Sequence, residues 1–411
     1  MNEATVQPAP RPMRVAIVDR LVPLYREGLY DCLMQQPGFE FTIVAGAKPL
    51  AQIGTVPFPG RPGWRSIDTP ARWIPFTRRK SVWQWGAVKA GFSRRYDAVM
   101  MMAVINDPCM WLCALGARLT GKRVVMWTHG FIRRESGFKR LLRNLWARVA
   151  SVLVMYGHLG KALALGEGFQ PRRVHVCYNS LDYARQRRLR ESLTAAQVAT
   201  MRRELFGDER LPIAISLSRL NAFKKIDVLI RAHARLIAQG RDVRLLIVGD
   251  GPERAKLERL VDELGVRGNV KFEGECYDED RLSRLIAASD VSVTPGAIGL
   301  TVMHCLAYGV PCITHDDYLD QMPEFEAIID GKTGGFFRKD DANDLARVML
   351  HWMDRSASDR AESARASIAQ IERFYRPEIQ AAVMLRALRG IDADDLWVAY
   401  QPPGAWDLTP H

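Results

Sequence analysis

Residues 212–225 read Pro-Ile-Ala-Ile-Ser-Leu-Ser-Arg-Leu-Asn-Ala-Phe-Lys-Lys: a short apolar run at 213–217, then a polar turn carrying Arg219, Lys224 and Lys225. Such a run, cut off by turn residues and followed by helical spacing over 225–238, predicts a buried strand feeding a helix. The unit then repeats. Strands are expected at 243–249, 270–272, 291–294 and 311–314, with helices at 252–264, 279–288 and 300–308 between them. Strand and helix in strict alternation is the grammar of a parallel α/β sheet, whose ligands sit beyond the carboxyl ends of the strands.

The first half has the same grammar. Apolar runs at 13–19, 41–45, 96–104, 123–127 and 151–155 predict strands, and 25–35 and 108–119 predict helices. The charged, strand-free stretch 182–210 reads as a linker plus a helix. Chain-end helices are expected near 341–353, 357–372 and 377–389, outside the sheets. The fold class is therefore α/β, with two doubly wound parallel-sheet (Rossmann-like) domains facing each other across a cleft. Residues 1–185 are assigned to the first domain and 186–376 to the second, with a terminal helix within 377–411 returning to the first. A chain of 411 residues that is 48% hydrophobic can bury two such cores.

Charge divides the halves. Residues 1–180 carry 26 Lys and Arg against 10 Asp and Glu, or +16; the remainder carries 32 against 36, or −4. A basic half asks for an anionic partner. No zinc-finger, RRM or recognition-helix pattern accompanies the charge, so nucleic acid is not expected. Mean hydropathy is −0.13 and no apolar run approaches the ~18 residues a membrane span needs. Residues 1–12 are polar and Pro-rich, without the apolar core of a secretory signal. The seven cysteines never form Cys-x-x-Cys, so neither a disulfide framework nor a zinc site is expected and the thiols read as buried and reduced. The expected compartment is the cytoplasm.

The basic half also carries amphipathic sequence. In 133–148, Phe138, Leu141, Leu142, Leu145 and Trp146 recur at helical spacing between Arg133, Arg134, Lys139, Arg140, Arg143 and Arg148. The stretch 72–95 adds Trp73, Trp83 and Trp85 among further basic residues. Either segment suits an anionic membrane surface, at about 1 kcal/mol per Lys or Arg. A core-packing helix with a basic outer face is the alternative.

Four strand ends carry the candidate chemistry. Arg219 and Lys224, directly after 213–217, are placed to clamp a diphosphate. After 291–294 come Gly296, Gly299, Leu300 and Thr301, where glycines and unbonded amides ahead of a helix favour an anion, with His304 one turn further on. Gly249 and Gly251 shape the turn after 243–249. This turn is not a nicotinamide-binding Gly-x-Gly-x-x-Gly, because Arg254 stands where the third glycine is required. His129 follows the strand 123–127 and is placed to bind a substrate hydroxyl or move a proton.

These segments, in this order, resemble a family. Ser218-Arg219-Leu220 with Lys224, Val248 to Pro252, Val270 to Gly274, Ala288-Ser289-Asp290, Gly299-Leu300, Ala307 to Pro311 and Asp330 to Gly335 are similar to family 4 glycosyltransferases of the GT-B fold. Upstream, Tyr178 to Asp182 and Thr128-His129-Gly130 fit more thinly. The resemblance implies transfer of a sugar from a nucleotide-sugar with retention, no cofactor and no required metal, and it makes Arg219 and Lys224 the diphosphate cations and His129 the cleft histidine. The family usually carries two glutamates eight positions apart. Here those positions are Gly296 and His304, so donor identity and stereochemical course stay open. His304, as a neutral imidazole, is expected to accept from a ribose hydroxyl. Glu324, in the carboxylate-rich loop 314–326, is expected to supply the sugar contacts a glycine cannot.

The reading is a glycosyltransferase for a glycan or lipid-linked acceptor in cell-surface polysaccharide or glycolipid assembly, cytoplasmic and peripheral on the inner membrane face. A non-catalytic binding subunit and a nucleotide-sugar epimerase of the same architecture remain the alternatives.

Overall fold

Ile213–Leu217 is buried at all five positions and Arg244–Val248 at four of five. Burial without alternation means that helices cover both faces of the sheet, as a parallel sheet requires. The computed structural model describes residues 11–48, 54–77, 81–131 and 135–393, and the fold is drawn from these.

The first lobe is built on β1 (Met13–Leu21), β2 (Phe39–Gly46) and β3 (Ser66–Asp68), a small antiparallel pair β4 (Arg72–Trp73) and β5 (Val82–Trp83), then β6 (Ala98–Met102), β7 (Arg123–Thr128), β8 (Val152–Met155) and β9 (Val174–Val176). Its seven-stranded sheet runs β3-β2-β1-β6-β7-β8-β9, all parallel. Between the strands lie α1 (Glu27–Met34), α2 (Trp85–Phe92), α3 (Pro108–Leu119), α4 (Gly137–Val149) and α5 (His158–Gly166).

The second lobe has β10 (Ile213–Leu217), β11 (Arg244–Val248), β12 (Val270–Gly274), β13 (Val291–Val293), β14 (Cys312–His315) and β15 (Gly334–Phe337), in the parallel order β12-β11-β10-β13-β14-β15. Strand direction of travel reverses between β1 and β6 in one lobe and between β10 and β13 in the other. A crevice opens beyond the strand ends at such a reversal, which places the second-lobe crevice between the loops after β10 and β13.

The stretch 182–210 is not a linker with one helix. It holds two, α6 (Tyr183–Ser192) and α7 (Ala195–Phe206). Asp182 caps the first by accepting from Arg185 N, and Thr194 and Gln197 form a capping box on the second, which Gly207 ends in the left-handed region. Tyr183, Met201 and Leu205 anchor both helices in the second-lobe core. The remaining helices are α8 (Ile226–Ala238), α9 (Arg254–Glu263), α10 (Glu279–Ala287), α11 (Thr301–Ala307), α12 (Ala342–Met353), α13 (Ala357–Phe374) and α14 (Pro377–Arg389). The last of these buries Ala381, Met384, Leu385 and Leu388 in the core of the first lobe.

Two carboxylates from one 3-10 turn, Pro323–Ala327, tie the lobes together. Glu326 accepts from the N–H groups of His158 and Leu159 at the start of α5, each at 2.8 Å, a favoured position for a negative charge. Glu324 accepts from Asn179 Nδ2 at 3.1 Å.

The expected membrane face of α4 is divided in the structure. Phe138, Leu141 and Leu145 are exposed, whereas Trp146 turns inward onto Trp111 with ring centroids 4.5 Å apart. Trp146 lies about 140° around the helix from Leu141, and the gap between α3 and α4 takes it. Arg140 and Arg143 both pair with Glu167. Arg133 and Arg134 lie outside the described residues.

Candidate active site between the lobes

Beside the second-lobe crevice, at the ends of β10 and β11, lies a cavity of about 360 Å³ lined by Leu217, Ser218, Arg219, Gly249, Tyr277 and His304, among others. Its walls come from the ends of β10 and β11, the segment after β12, and the first turn of α11. Gly249 has φ +135°, and a Cβ there would stand 2.0 Å from the Ser218 carbonyl oxygen, so only glycine lets the turns after β10 and β11 meet. Gly251 packs as closely against Leu220 O. Asp250 between them accepts from Gly251 N at 2.6 Å and from Arg254 Nη1 at 2.8 Å, and these bonds hold its carboxyl below the usual carboxylate range.

Arg219 is exposed at the rim of this cavity. Lys224 sits at the end of the same turn, half-buried, with Nζ donating to Ala297 O at 2.7 Å. Burial lowers the ammonium's pKa, and the nearby Glu324 opposes that. Lys224 thereby ties the loop after β10 to the loop after β13.

Gly296 has a different role from the one the sequence suggested. Its N–H donates to Lys224 O at 3.1 Å, and a Cβ would stand 2.1 Å from Phe223 O and 2.8 Å from Lys224 Cα. The glycine is required by the packing of two protein loops, its amide is already bonded, and no glutamate fits there. Gly299 meets nothing within 4 Å. Among the described residues, no protein acceptor takes the N–H of Gly299, Leu300 or Thr301. The Thr301 hydroxyl donates to Leu217 O at 2.8 Å and pins the start of α11 to the end of β10, while Leu300 packs on the core. His304 lines the cavity, and Nε2 of Gln186, from α6, lies 3.1 Å from its Nδ1. Burial pushes the His304 pKa down to about 4.

Glu324 is almost fully buried. Oε1 takes the Asn179 amide, Oε2 has no partner among the described residues, and burial raises the pKa. It sits at the lobe junction as a bridge to Asn179, not in the wall of the cavity that holds Arg219 and His304.

His129 lies at the end of β7 in the first lobe, its ring 4.7 Å from that of Tyr156. Its Nδ1 is buried without a partner among the described residues. Burial and the positive charge of Arg26 push its pKa down to about 4. Arg26 is itself buried in an ion pair with Asp19, bonds Tyr156 Oη at 3.3 Å, and lies over the Trp127 ring at 4.8 Å. Electrostatic neighbours thus run from His129 through Arg26 and Tyr25 to Glu324 and Lys224, across the cleft. Arg26 and Gln186 were not singled out from sequence. Asp19, the carboxylate that closes the apolar run 13–19, was the one available signal for the first. A further cavity of about 160 Å³ in this lobe is lined by Asn106, Thr128, Lys139, Arg143 and Trp146, among others.

Residues 197–370, which span β10–β15 and their helices, match the family described as glycosyl transferases group 1. Over 177 residues the chain is 27% identical to alpha-D-kanosaminyltransferase of Streptomyces kanamyceticus, covering 42% of this chain and 44% of that one. Over 182 residues it is 28% identical to N-acetyl-alpha-D-glucosaminyl L-malate synthase of Bacillus anthracis, covering 44% and 46%. The chain thus spans less than half the length of these curated relatives. The whole fold superimposes on Anabaena Alr3699/HepE in complex with UDP, with TM-score 0.68 and 16% identity over 92% of this chain and 100% of that one. A glycosyltransferase from Rickettsia africae gives TM-score 0.72 and 15% identity over 93% and 98%. Residues 197–370 thus carry a match to glycosyl transferases group 1, set in a chain with the two-lobed GT-B fold.

Proposed function

We propose that the chain transfers a sugar from a nucleoside-diphosphate sugar on the second lobe to a glycan or lipid-linked acceptor at the first, in polysaccharide or glycolipid assembly. The observation that carries this is the cavity at the end of β10, lined by Arg219 and His304, with Lys224 and three unbonded amides at 299–301 on the adjoining loops. In this reading the two cations neutralise the leaving diphosphate, which is most of the chemistry the protein must supply. No metal is needed, and activity in EDTA tests that part. His129, uncharged at neutral pH, holds an acceptor hydroxyl or the donor sugar by hydrogen bonding. Transfer proceeds with retention, as in the family 4 enzymes that the motifs resemble.

The acceptor lobe is read as peripheral on an anionic membrane, on the cytoplasmic side. Phe138, Leu141 and Leu145 on α4 and Leu112, Leu115 and Leu119 on the adjoining α3 form two exposed apolar rows in the half of the chain that carries +16. Among the described residues, no helix is long and apolar enough to cross a membrane.

The test is release of nucleoside diphosphate from UDP- and GDP-sugars, with and without a membrane lipid extract. Acceptor-dependent release that is lost in Lys224→Ala supports transfer. Binding without turnover favours the non-catalytic subunit, and conversion to an isomeric nucleotide-sugar favours the epimerase.

A further inference from the structure

We propose that Gln186 fixes the tautomer of His304, so that the ring presents an N–H donor to the nucleotide bound in the cavity. The inference rests on reading the second-lobe cavity as the nucleotide site.

The argument is one of hydrogen count. An amide nitrogen carries two hydrogens and donates only. With Gln186 Nε2 at 3.1 Å, the Nδ1 of His304 must therefore offer its lone pair. A neutral imidazole has one ring proton, so that proton is on Nε2. Burial keeps the ring neutral across the physiological range, which leaves a single tautomer compatible with the contact. Gln186 is itself almost completely buried in α6, so its amide is held by packing and not by solvent. Among the described residues, Nε2 of His304 has no protein partner, and the side chain lines the cavity.

In this proposal the N–H, which faces the cavity, finds its acceptor in the bound nucleotide. A carboxylate at this position could accept from two vicinal hydroxyls together, whereas one N–H makes a single directed contact. The nucleotide is then read here through one oxygen or ring nitrogen as an acceptor. Gln186 acts through the imidazole as a positioning residue.

The experiment uses the full chain with ¹⁵N-labelled histidine, the eight ring systems being assigned with the help of His304→Asn. The expected result is a protonated Nε2 and an unprotonated Nδ1 for His304 in the free protein. Adding UDP or GDP, whichever raises the melting point, should shift the Nε2 proton. An Nδ1–H tautomer overturns the proposal, as does a bound nucleotide that leaves Nε2 unmoved. Gln186→Met, close in shape but without the donor, should give mixed tautomers and weaken nucleotide binding about fivefold, the worth of roughly one neutral hydrogen bond. A tautomer unchanged in that variant refutes the role of Gln186. If neither nucleotide binds at all, the reading of the cavity fails, while the tautomer in the free protein still reports on Gln186 by itself.

Discussion

Replacing Gly296 by alanine should cost both stability and nucleotide binding. A Cβ at this position lies 2.1 Å from Phe223 O and 2.8 Å from Lys224 Cα. Carbon needs roughly 3.5 Å, so the loop after β10 must withdraw by more than about 1 Å. Both obstructing atoms are main chain and cannot rotate away. Overpacking of this kind costs about 1–3 kcal/mol. The Gly296 N–H bond to Lys224 O adds about 1 kcal/mol if it breaks. A total of roughly 2–4 kcal/mol corresponds to a fall in melting temperature of about 4–16 °C for a lobe of this size. Because the moving segment carries Lys224, affinity for UDP or GDP should also fall by about tenfold, as for the loss of one charge-assisted contact. Gly299→Ala is the control: its Cβ enters open space, so less than about 0.5 kcal/mol is expected. Scanning calorimetry and nucleotide titration on the two variants decide the matter. A Gly296→Ala protein as stable as Gly299→Ala, and binding nucleotide as tightly as the native chain, would refute the account of why glycine stands where the two-glutamate pattern has its first carboxylate.

Lys224→Ala should leave the fold intact, since the side chain makes one bond to Ala297 O, yet lower transfer by about 10²–10³-fold; a loss under tenfold in a steady-state assay contradicts its role. His175, buried in β9, has a folded pKa near 4 against roughly 6.5 unfolded. The unfolded chain then binds more protons between those values, so stability is lost as pH falls from about 6.5 to 4. Urea midpoints at pH 7 and 5 should therefore differ less in His175→Asn than in the native chain, and equal differences refute the assignment. Glu326→Gln keeps the shape but removes the charge facing two amides of α5, and it should lower stability by about 1–2 kcal/mol in denaturant titration; no change would mean that the contact does not join the lobes. Leu141→Glu with Leu145→Glu should abolish sedimentation with phosphatidylglycerol vesicles at low salt, and unaltered binding would remove α4 from the membrane surface.

Most of the fold was legible because parallel strands covered on both faces read as unbroken apolar runs, and those runs were conspicuous at β1, β7, β10 and β11. Short elements were not legible. Val174–Val176 and Gly334–Phe337 are too brief for any period, and β15 begins with two glycines that resemble a turn. The stretch 182–206 misled in another way. Its two helices are anchored by a few inward residues, Tyr183, Met201 and Leu205 among them, amid a dense run of arginine and glutamate that reads as solvent-facing linker. At the site, Arg219 and Lys224 stood out because they directly follow a strand. Gly296 was visible as a glycine but not in its purpose, since its neighbours Phe223 and Lys224 are 73 and 72 positions away in sequence. Gln186 could not be found at all: its contact with His304 spans 118 positions and depends on how α6 packs against α11. Glu324 stood in a loop crowded with carboxylates, and only the approach of Asn179 separates it from its neighbours.

A crystal structure grown with UDP or GDP addresses the central claim most directly. The account predicts pyrophosphate oxygens within about 3 Å of both the Arg219 guanidinium and the Lys224 ammonium, with the ribose beside His304. A nucleotide bound elsewhere on the chain, or one whose phosphates face solvent while those two side chains keep their present contacts, would contradict it.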